Sequence, residues 1–343
     1  MLERIDPGAH RRIKGLRLVS AYGMAEMGGI LVGGPQHATL GSLAGGFALW
    51  ASVSEGQATR AASSRDLLAL NAAAVLGAAS VIALDSLFGT WIPGGAELDL
   101  VSGAFLVGYL RRFGTLGAGL GSQIYIGQLL AYGARLAWDD LWTVALAGMI
   151  AALGSIVPRL LSGPAERPAS APVAAWQPAS QGDERSRELR MGLQAALAAF
   201  VIVLLNAAFE LRQSAWAITA CTYVIAGSAA GTWERVRRRI VGTMVGVPLG
   251  LALAPIVAQV PLLAWLAAAL AMVVYAVALP ERYDVACGAF AFVLMVTLTA
   301  TGAGPMSLLA ARAWETVLGG AIGIAAALLV WPLRSAGYRP GAR

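Results

Sequence analysis

Two short stretches place the same three chemistries side by side. Residues 134–138 read ARLAW and continue into Asp139 and Asp140; residues 311–314 read ARAW and continue into Glu315. Each sets a guanidinium, an indole and a carboxylate at the start of a strongly apolar run. An arginine fork binds a carboxylate through two parallel hydrogen bonds, and rings of arginine or lysine are how anion pathways select their ion. Arg135 and Arg312, one from each half of the chain, are therefore candidates for a paired cationic site. Trp138 and Trp314 would offer ring faces to an aromatic substrate. A structural reading competes. Arg135 and Asp139 are four apart and Arg312 and Glu315 three apart, spacings that put ion-pair partners on one helical face. Asp139 and Glu315 also suit a helix N-terminus, and tryptophan commonly anchors a helix at the membrane surface.

Glu26 is of another kind. It lies in LVSAYGMAEMGGILVGG, inside the first apolar run, where an ionisable group is a functional candidate by default. A carboxyl at that depth can take and release a proton near neutral pH; otherwise it is a hydrogen-bonded group facing Ser, Thr or Gly of a neighbouring helix. The remaining polar residues read more plainly. His37 falls in the first outer turn, Asp85 and the Glu97/Asp99 pair at outer helix ends, all expected to be solvated, and Glu210 and Arg212 can pair at a later outer turn. The cluster Arg235–Arg239 reads as a topology determinant, able to touch anionic lipid head groups. No metal-ligand spacing and no Walker, HExxH or GxSxG motif is present, so no enzyme chemistry and no cofactor is expected. Cys221 and Cys287 read as small apolar residues.

What must position these groups is set by composition. Of 343 residues, 58% are hydrophobic and only 13% charged, about half the charge of a soluble domain, and mean hydropathy is +0.68. A bilayer can use that much apolar surface, and a crossing helix needs about 20 such residues. The apolar runs are 16–34, 38–54, 67–87, 96–110, 115–133 and 138–161, then 191–209, 214–231, 240–258, 261–279, 285–302 and 313–332. The expectation is an all-α polytopic membrane protein of twelve transmembrane helices. With the N-terminus cytoplasmic, all of the 25 basic residues except Arg135, Arg212 and Arg312 fall on the inner side, the bias that sets membrane orientation. Both termini are then cytoplasmic, and the basic charge needs no nucleic-acid partner.

The stretch 163–186, GPAERPASAPVAAWQPASQGDERS, is too polar and broken to span. It divides the chain into a first six-helix membrane repeat (1–162), a cytoplasmic Pro/Ala-rich linker (163–188) and a second repeat (189–343). Six helices per half make the repeats parallel. The halves align at an offset of about 177 positions: Gly15-Leu16 falls on Gly192-Leu193, Arg60 on Arg237, Arg135 on Arg312, and Glu26 near Val203.

Residues 312–332, RAWETVLGGAIGIAAALLVWP, and 231–246, GTWERVRRRIVGTMVG, resemble the closing helix and the Arg-rich segment of the fusaric acid resistance and aromatic acid exporter family, whose plant relatives are the aluminium-activated malate channels. The resemblance covers most of 185–335 and, more loosely, 10–160. It implies export of small organic, chiefly aromatic, carboxylate anions across a bacterial inner membrane. Larger members carry a cytoplasmic domain where this chain has only the short linker, so that domain's role does not carry over. The expected mechanism holds the anion between Arg135 and Arg312 and couples its movement to protons through Glu26. The alternatives are a passive anion channel and a non-conducting membrane subunit of an envelope complex. Membrane lipids, an accessory envelope protein and a second copy of the chain are the other partners considered.

Overall fold

The computed structural model describes residues 10–34, 38–56, 59–88, 95–162, 181–211, 214–226, 228–279, 281–300 and 306–331. Its α-helices, in chain order, are α1 (His10–Gly33), α2 (Ala38–Ser54), α3 (Arg60–Phe88), α4 (Gly95–Tyr109), α5 (Gly114–Ala134), α6 (Leu141–Ser162), α7 (Gln181–Phe209), α8 (Ser214–Val224), α9 (Ala229–Gln259), α10 (Pro261–Ala278), α11 (Tyr283–Ala300) and α12 (Met306–Leu329). No strand occurs among the described residues. Hydrocarbon offers no hydrogen bonds, so a backbone inside it must satisfy its own N–H and C=O groups, and a helix does so within one segment. Among the described residues, four stretches are long and apolar enough to cross a membrane: 60–87, 138–162, 186–209 and 229–257.

The elements depart from the apolar runs at three places. The second half opens earlier than expected, because α7 begins at Gln181, inside the stretch read as linker; of that linker, 163–180 lies outside the described residues. The arginine-rich segment before the ninth run is helix rather than loop, since α9 starts at Ala229. Ser228 caps it, accepting the Gly231 N–H at 3.1 Å, as a serine ahead of a helix commonly does. The eighth run, expected to cross over 214–231, ends at Val224. There the Ala226 N–H turns to the Thr232 hydroxyl at 3.0 Å. At 11 residues, α8 is about 16 Å long, short of the hydrocarbon thickness, and it is buried along most of its length.

Packing follows one scheme twice. In the first half α1 packs on α2 and α6, α2 on α6, α3 on α5 and α6, and α4 on α5. Six helices later α7 packs on α8 and α12, α8 on α12, α9 on α11 and α12, and α10 on α11. Two of the joints between the halves also stand six helices apart, α4 on α7 and α10 on α1, and α8 packs on α4 as well. Glycines set the closest crossings. A Cβ at Gly127 of α5 would strike the Ala74 carbonyl of α3, and one at Gly246 of α9 would strike the Gly288 carbonyl of α11. Small residues of this sort let membrane helices approach backbone to backbone.

Polar anchoring differs between the halves. Arg17 forms a buried ion pair with Glu55 at 2.8 Å, and Lys14 donates to the Val53 and Glu55 carbonyls just past the end of α2. At the 177-residue offset those two positions are Gln194 and Thr232. Gln194 instead donates to the Val330 carbonyl at 2.7 Å. The first half is thus fastened by charge where the second is fastened by neutral hydrogen bonds.

Candidate functional site

A cavity of about 2180 Å³ opens between the halves, with walls from α1, α2, α5 and α7 through α12. Three chemistries line it in turn.

At one end are arginines. Arg111, in the 3₁₀ turn Leu110–Phe113 after α4, faces the space together with Arg235, Arg238 and Arg239 from the first turns of α9. Positions 235, 238 and 239 share one face of a helix, which is how a single segment presents three cations at once. Two acids stand by them, Glu188 of α7 near Arg111 and Glu234. Glu234 takes Arg238 at 2.6 Å and Arg237 at 3.0 Å. Arg235 donates to the Ile225 carbonyl beyond the end of α8 at 3.3 Å, and Arg239 stands beside Tyr283 and Cys287. Among the described residues Arg111, Arg235 and Arg239 form no ion pair.

The middle is aromatic. Trp50 meets Phe290 edge-on with ring centroids 5.4 Å apart, and Tyr275 at 6.1 Å. Trp216 and Tyr275 approach the same Phe290 at 6.4 and 6.3 Å. Edge-to-face rings at these spacings are the favourable arrangement. Beside them, two hydroxyl pairs bridge the halves: Tyr125 with Thr219 at 2.8 Å and Ser122 with Tyr223 at 2.7 Å.

The far end holds Arg135, Asn206 and, on α1, Glu26. Glu26 accepts a hydrogen bond from the Tyr22 hydroxyl one turn away. Arg135 closes α5 in the left-handed region, with φ 52° and ψ 48°. The Leu136 N–H reaches back to the Ala131 carbonyl at 3.1 Å and the Arg135 N–H to the Tyr132 carbonyl at 3.2 Å. This is the helix ending that normally takes glycine at the left-handed position. A side chain there costs about 1 kcal/mol, and it sets an exposed guanidinium at the cavity rim.

The residues singled out from sequence fall into three groups. Arg135 and Glu26 line the cavity. Trp138 and Trp314 are 60% and 58% exposed and take no part in its walls. Arg312 lies on the α12 backbone, and its side chain falls outside the described residues, as do His37 and Arg212. The carboxylates flanking the tryptophans diverge. Asp139 is exposed and forms no ion pair with Arg135 among the described residues, while its neighbour Asp140 accepts the Ala137 N–H at 2.9 Å. Glu315 is 2% exposed, next to the cavity residue Thr316.

Two expectations are corrected. The Glu97/Asp99 pair, expected to be solvated, is 2% and 3% exposed, because α3, α5, α7 and α8 all pack on α4. The arginines of α9, read as topology determinants, line the cavity. Only their helical spacing of three and four, once the helix is known to start before them, signals a shared face. The aromatic group was not foreseen, since its rings come from four separate helices.

Residues 196–326 match the family model described as fusaric acid resistance protein-like. The matched range runs from within α7 into α12 and includes Arg235, Arg239, Trp216, Tyr275 and Phe290; Arg111, Trp50, Glu26 and Arg135 lie outside it. No curated protein and no solved structure matches the chain. The family match and the four long apolar stretches mark a multi-pass membrane protein and point to transport of small molecules.

Proposed function

We propose, from the premise that residues 196–326 form a fusaric acid resistance protein-like domain, that the chain is a secondary exporter of small aromatic carboxylate anions. One observation carries this reading: three guanidiniums that form no ion pair among the described residues end a cavity whose middle is aromatic. A cation in a low-dielectric wall is costly unless an anion meets it. A planar guanidinium takes a carboxylate bidentately, and ring edges and faces take an aryl group. A substrate carrying both matches the order in which the walls present them. Arg135, at the other end, offers the departing carboxylate a second cation. Arg312 remains its proposed partner from the second half.

Glu26 lines the same space and is the proposed proton carrier, releasing its proton as the anion moves. Trp138 is better suited to anchoring a helix end at the membrane surface, and Asp139 stays assigned to that end; Trp314 and Glu315, expected at a helix start, lie within α12 because it begins at Met306, and Glu315 is buried there. The chain is proposed to lie in a bacterial inner membrane as two parallel six-helix repeats with both termini cytoplasmic, which puts the arginine-rich end of the cavity inside the cell. The twofold recurrence of the packing scheme supports the duplication, and the distribution of basic residues supports the orientation. No cofactor and no catalytic step enter this mechanism.

A passive anion channel is the second reading, favoured by the continuity of the cavity from Arg239 to Arg135. Uptake of aromatic acids into inverted vesicles separates the readings. An exporter accumulates substrate with a proton gradient and loses that accumulation in Glu26→Gln. A channel conducts in both. Failure of any aromatic acid to move under any gradient would leave a membrane subunit with no conduction of its own.

A further inference from the structure

Two joints between the halves are built differently. At α10 on α1 the interior contact is apolar, with Gly15 of α1 against Val273 of α10, and Arg11 reaches the Val277 carbonyl and Glu281 at its exposed end. At α4 on α7, Gly108 and Gly192 meet backbone to backbone, and α4 buries two carboxylates, Glu97 toward α7 and Asp99 toward α3 and α5. Shifting Glu97 and Asp99 by 177 positions lands on Val274 and Ala276. Packing alone therefore does not call for acids at this place.

We propose that Asp99, buried where α3 and α5 pack on α4, is a second proton-binding site. Every partner of the two groups is neutral. Asp99 meets the Ser80 hydroxyl at 2.6 Å, the Gln128 amide at 3.1 Å and the Ser102 hydroxyl at 3.1 Å. Glu97 accepts the Asn206 amide at 2.7 Å, and its other oxygen has no hydrogen-bond partner among the described residues. Glu97, two positions earlier on the helix, faces away from Asp99, toward Asn206 of α7. A carboxylate buried among neutral partners alone is costly to charge, and a bound proton removes that cost.

The hydrogen count agrees. The Ser80 oxygen is 2.8 Å from the Gly77 carbonyl as well as 2.6 Å from Asp99 Oδ2, and a hydroxyl has one hydrogen to give. With Asp99 protonated, its O–H donates to Ser80 and Ser80 donates to Gly77, so both short contacts are true hydrogen bonds. With Asp99 ionised, Ser80 turns its hydrogen to the carboxylate, and the Gln128 amide supplies a second donor. Both protonation states are thus hydrogen-bonded, as reversible uptake requires. Around the pair stand Ser80 from α3, Gln128 and Tyr132 from α5 and Asn206 from α7; among the described residues no charged group of these helices or of α8 meets Asp99. Gln128 is followed on α5 by the cavity residues Leu129 and Leu130, so the site lies behind the cavity wall and within one residue of it.

That this proton takes part in transport rests on the exporter reading; that it binds does not. The test is infrared difference spectroscopy between acid and alkaline pH on the full chain in lipid discs. The carbonyl stretch of a protonated carboxyl is expected in wild type and in Glu26→Gln, and lost in Asp99→Asn. A spectrum unchanged by Asp99→Asn overturns the proposal. Gln128→Leu, which removes a donor to the charged form, should raise the pH midpoint of that band by about one unit; an unmoved midpoint also overturns it, and this variant keeps Asp99 itself in place should the asparagine misfold. If the band behaves as expected while inverted vesicles move no aromatic acid, the exporter reading fails and the proton site stands.

Discussion

The two ends of the cavity present the same cation in opposite ways. At one end, Arg235 and Arg239 rise from the first turns of a long helix, among Tyr223, Tyr275 and Tyr283, with Arg111 across the space. At the other, Arg135 stands alone on a strained helix ending, exposed at the rim. The first arrangement is clustered and packed against rings, suited to capturing a carboxylate. The second is single and wet, and water competes for its fork. The difference teaches that the number of clustered guanidiniums and their dryness, rather than the presence of an arginine, decide which end binds and which releases.

Removing the cluster is the severest way to break that contrast. Charged hydrogen bonds contribute about 1.5–3 kcal/mol each, so Arg235→Ala with Arg239→Ala should weaken binding of an aromatic carboxylate by about 100-fold or more, measured by calorimetry on purified protein. Arg135→Ala should cost about tenfold or less and act on release more than on affinity. Equal losses at the two ends would erase the distinction.

The clustered end also depends on a backbone crossing. Gly246→Ala forces α9 from α11 and should destabilise the protein by about 1–3 kcal/mol, read in a thermal melt. Because Arg239 rides on α9 and Phe290 on α11, the same variant should loosen substrate binding at that end while leaving a fluorescent label near Arg135 undisturbed. Trp50→Ala removes one ring from the middle and should cost about 0.5–1.5 kcal/mol of binding to an aromatic acid, with little change for an aliphatic acid of equal charge.

At the far end, Arg135→Gly should raise stability by about 1 kcal/mol, because glycine occupies the left-handed region without strain. The smallest effect lies outside the bundle. Arg11 holds the exposed Glu281 carboxyl below the usual carboxylate range, through a hydrogen-bonded ion pair. A depressed carboxyl stabilises the fold above its unfolded pKa and loses that contribution as pH falls through the folded value. The melting difference between wild type and Glu281→Gln should therefore be present at neutral pH and vanish in acid.

Much of this architecture could be read from residue order. Runs of apolar residues gave most of the helices, because hydrophobic length is a local property. The site was less legible. Arg235–Arg239 at the edge of an apolar run looks the same whether its side chains face head groups or a cavity; only the register of α9 against α11 decides. Glu97 and Asp99 look solvated by the same rule, and the burial that overturns it comes from four helices distant in sequence. The signature that first drew attention, Arg-Trp-acid at 135–139 and 312–315, divides in space: Arg135 reaches the cavity and the tryptophans face away. Sequence spacing predicts which residues share a helix, and packing decides which share a surface.

The central claim is that the arginines clustered at one end of an aromatic-lined cavity bind the anion. Its most direct measurement is the quenching of tryptophan fluorescence by an aromatic carboxylate and by its uncharged amide, in wild type and in the Arg235→Ala/Arg239→Ala variant. Saturable quenching by the acid alone, abolished in the variant, is the predicted result. Equal quenching by acid and amide, or an unaltered titration in the variant, would contradict the account.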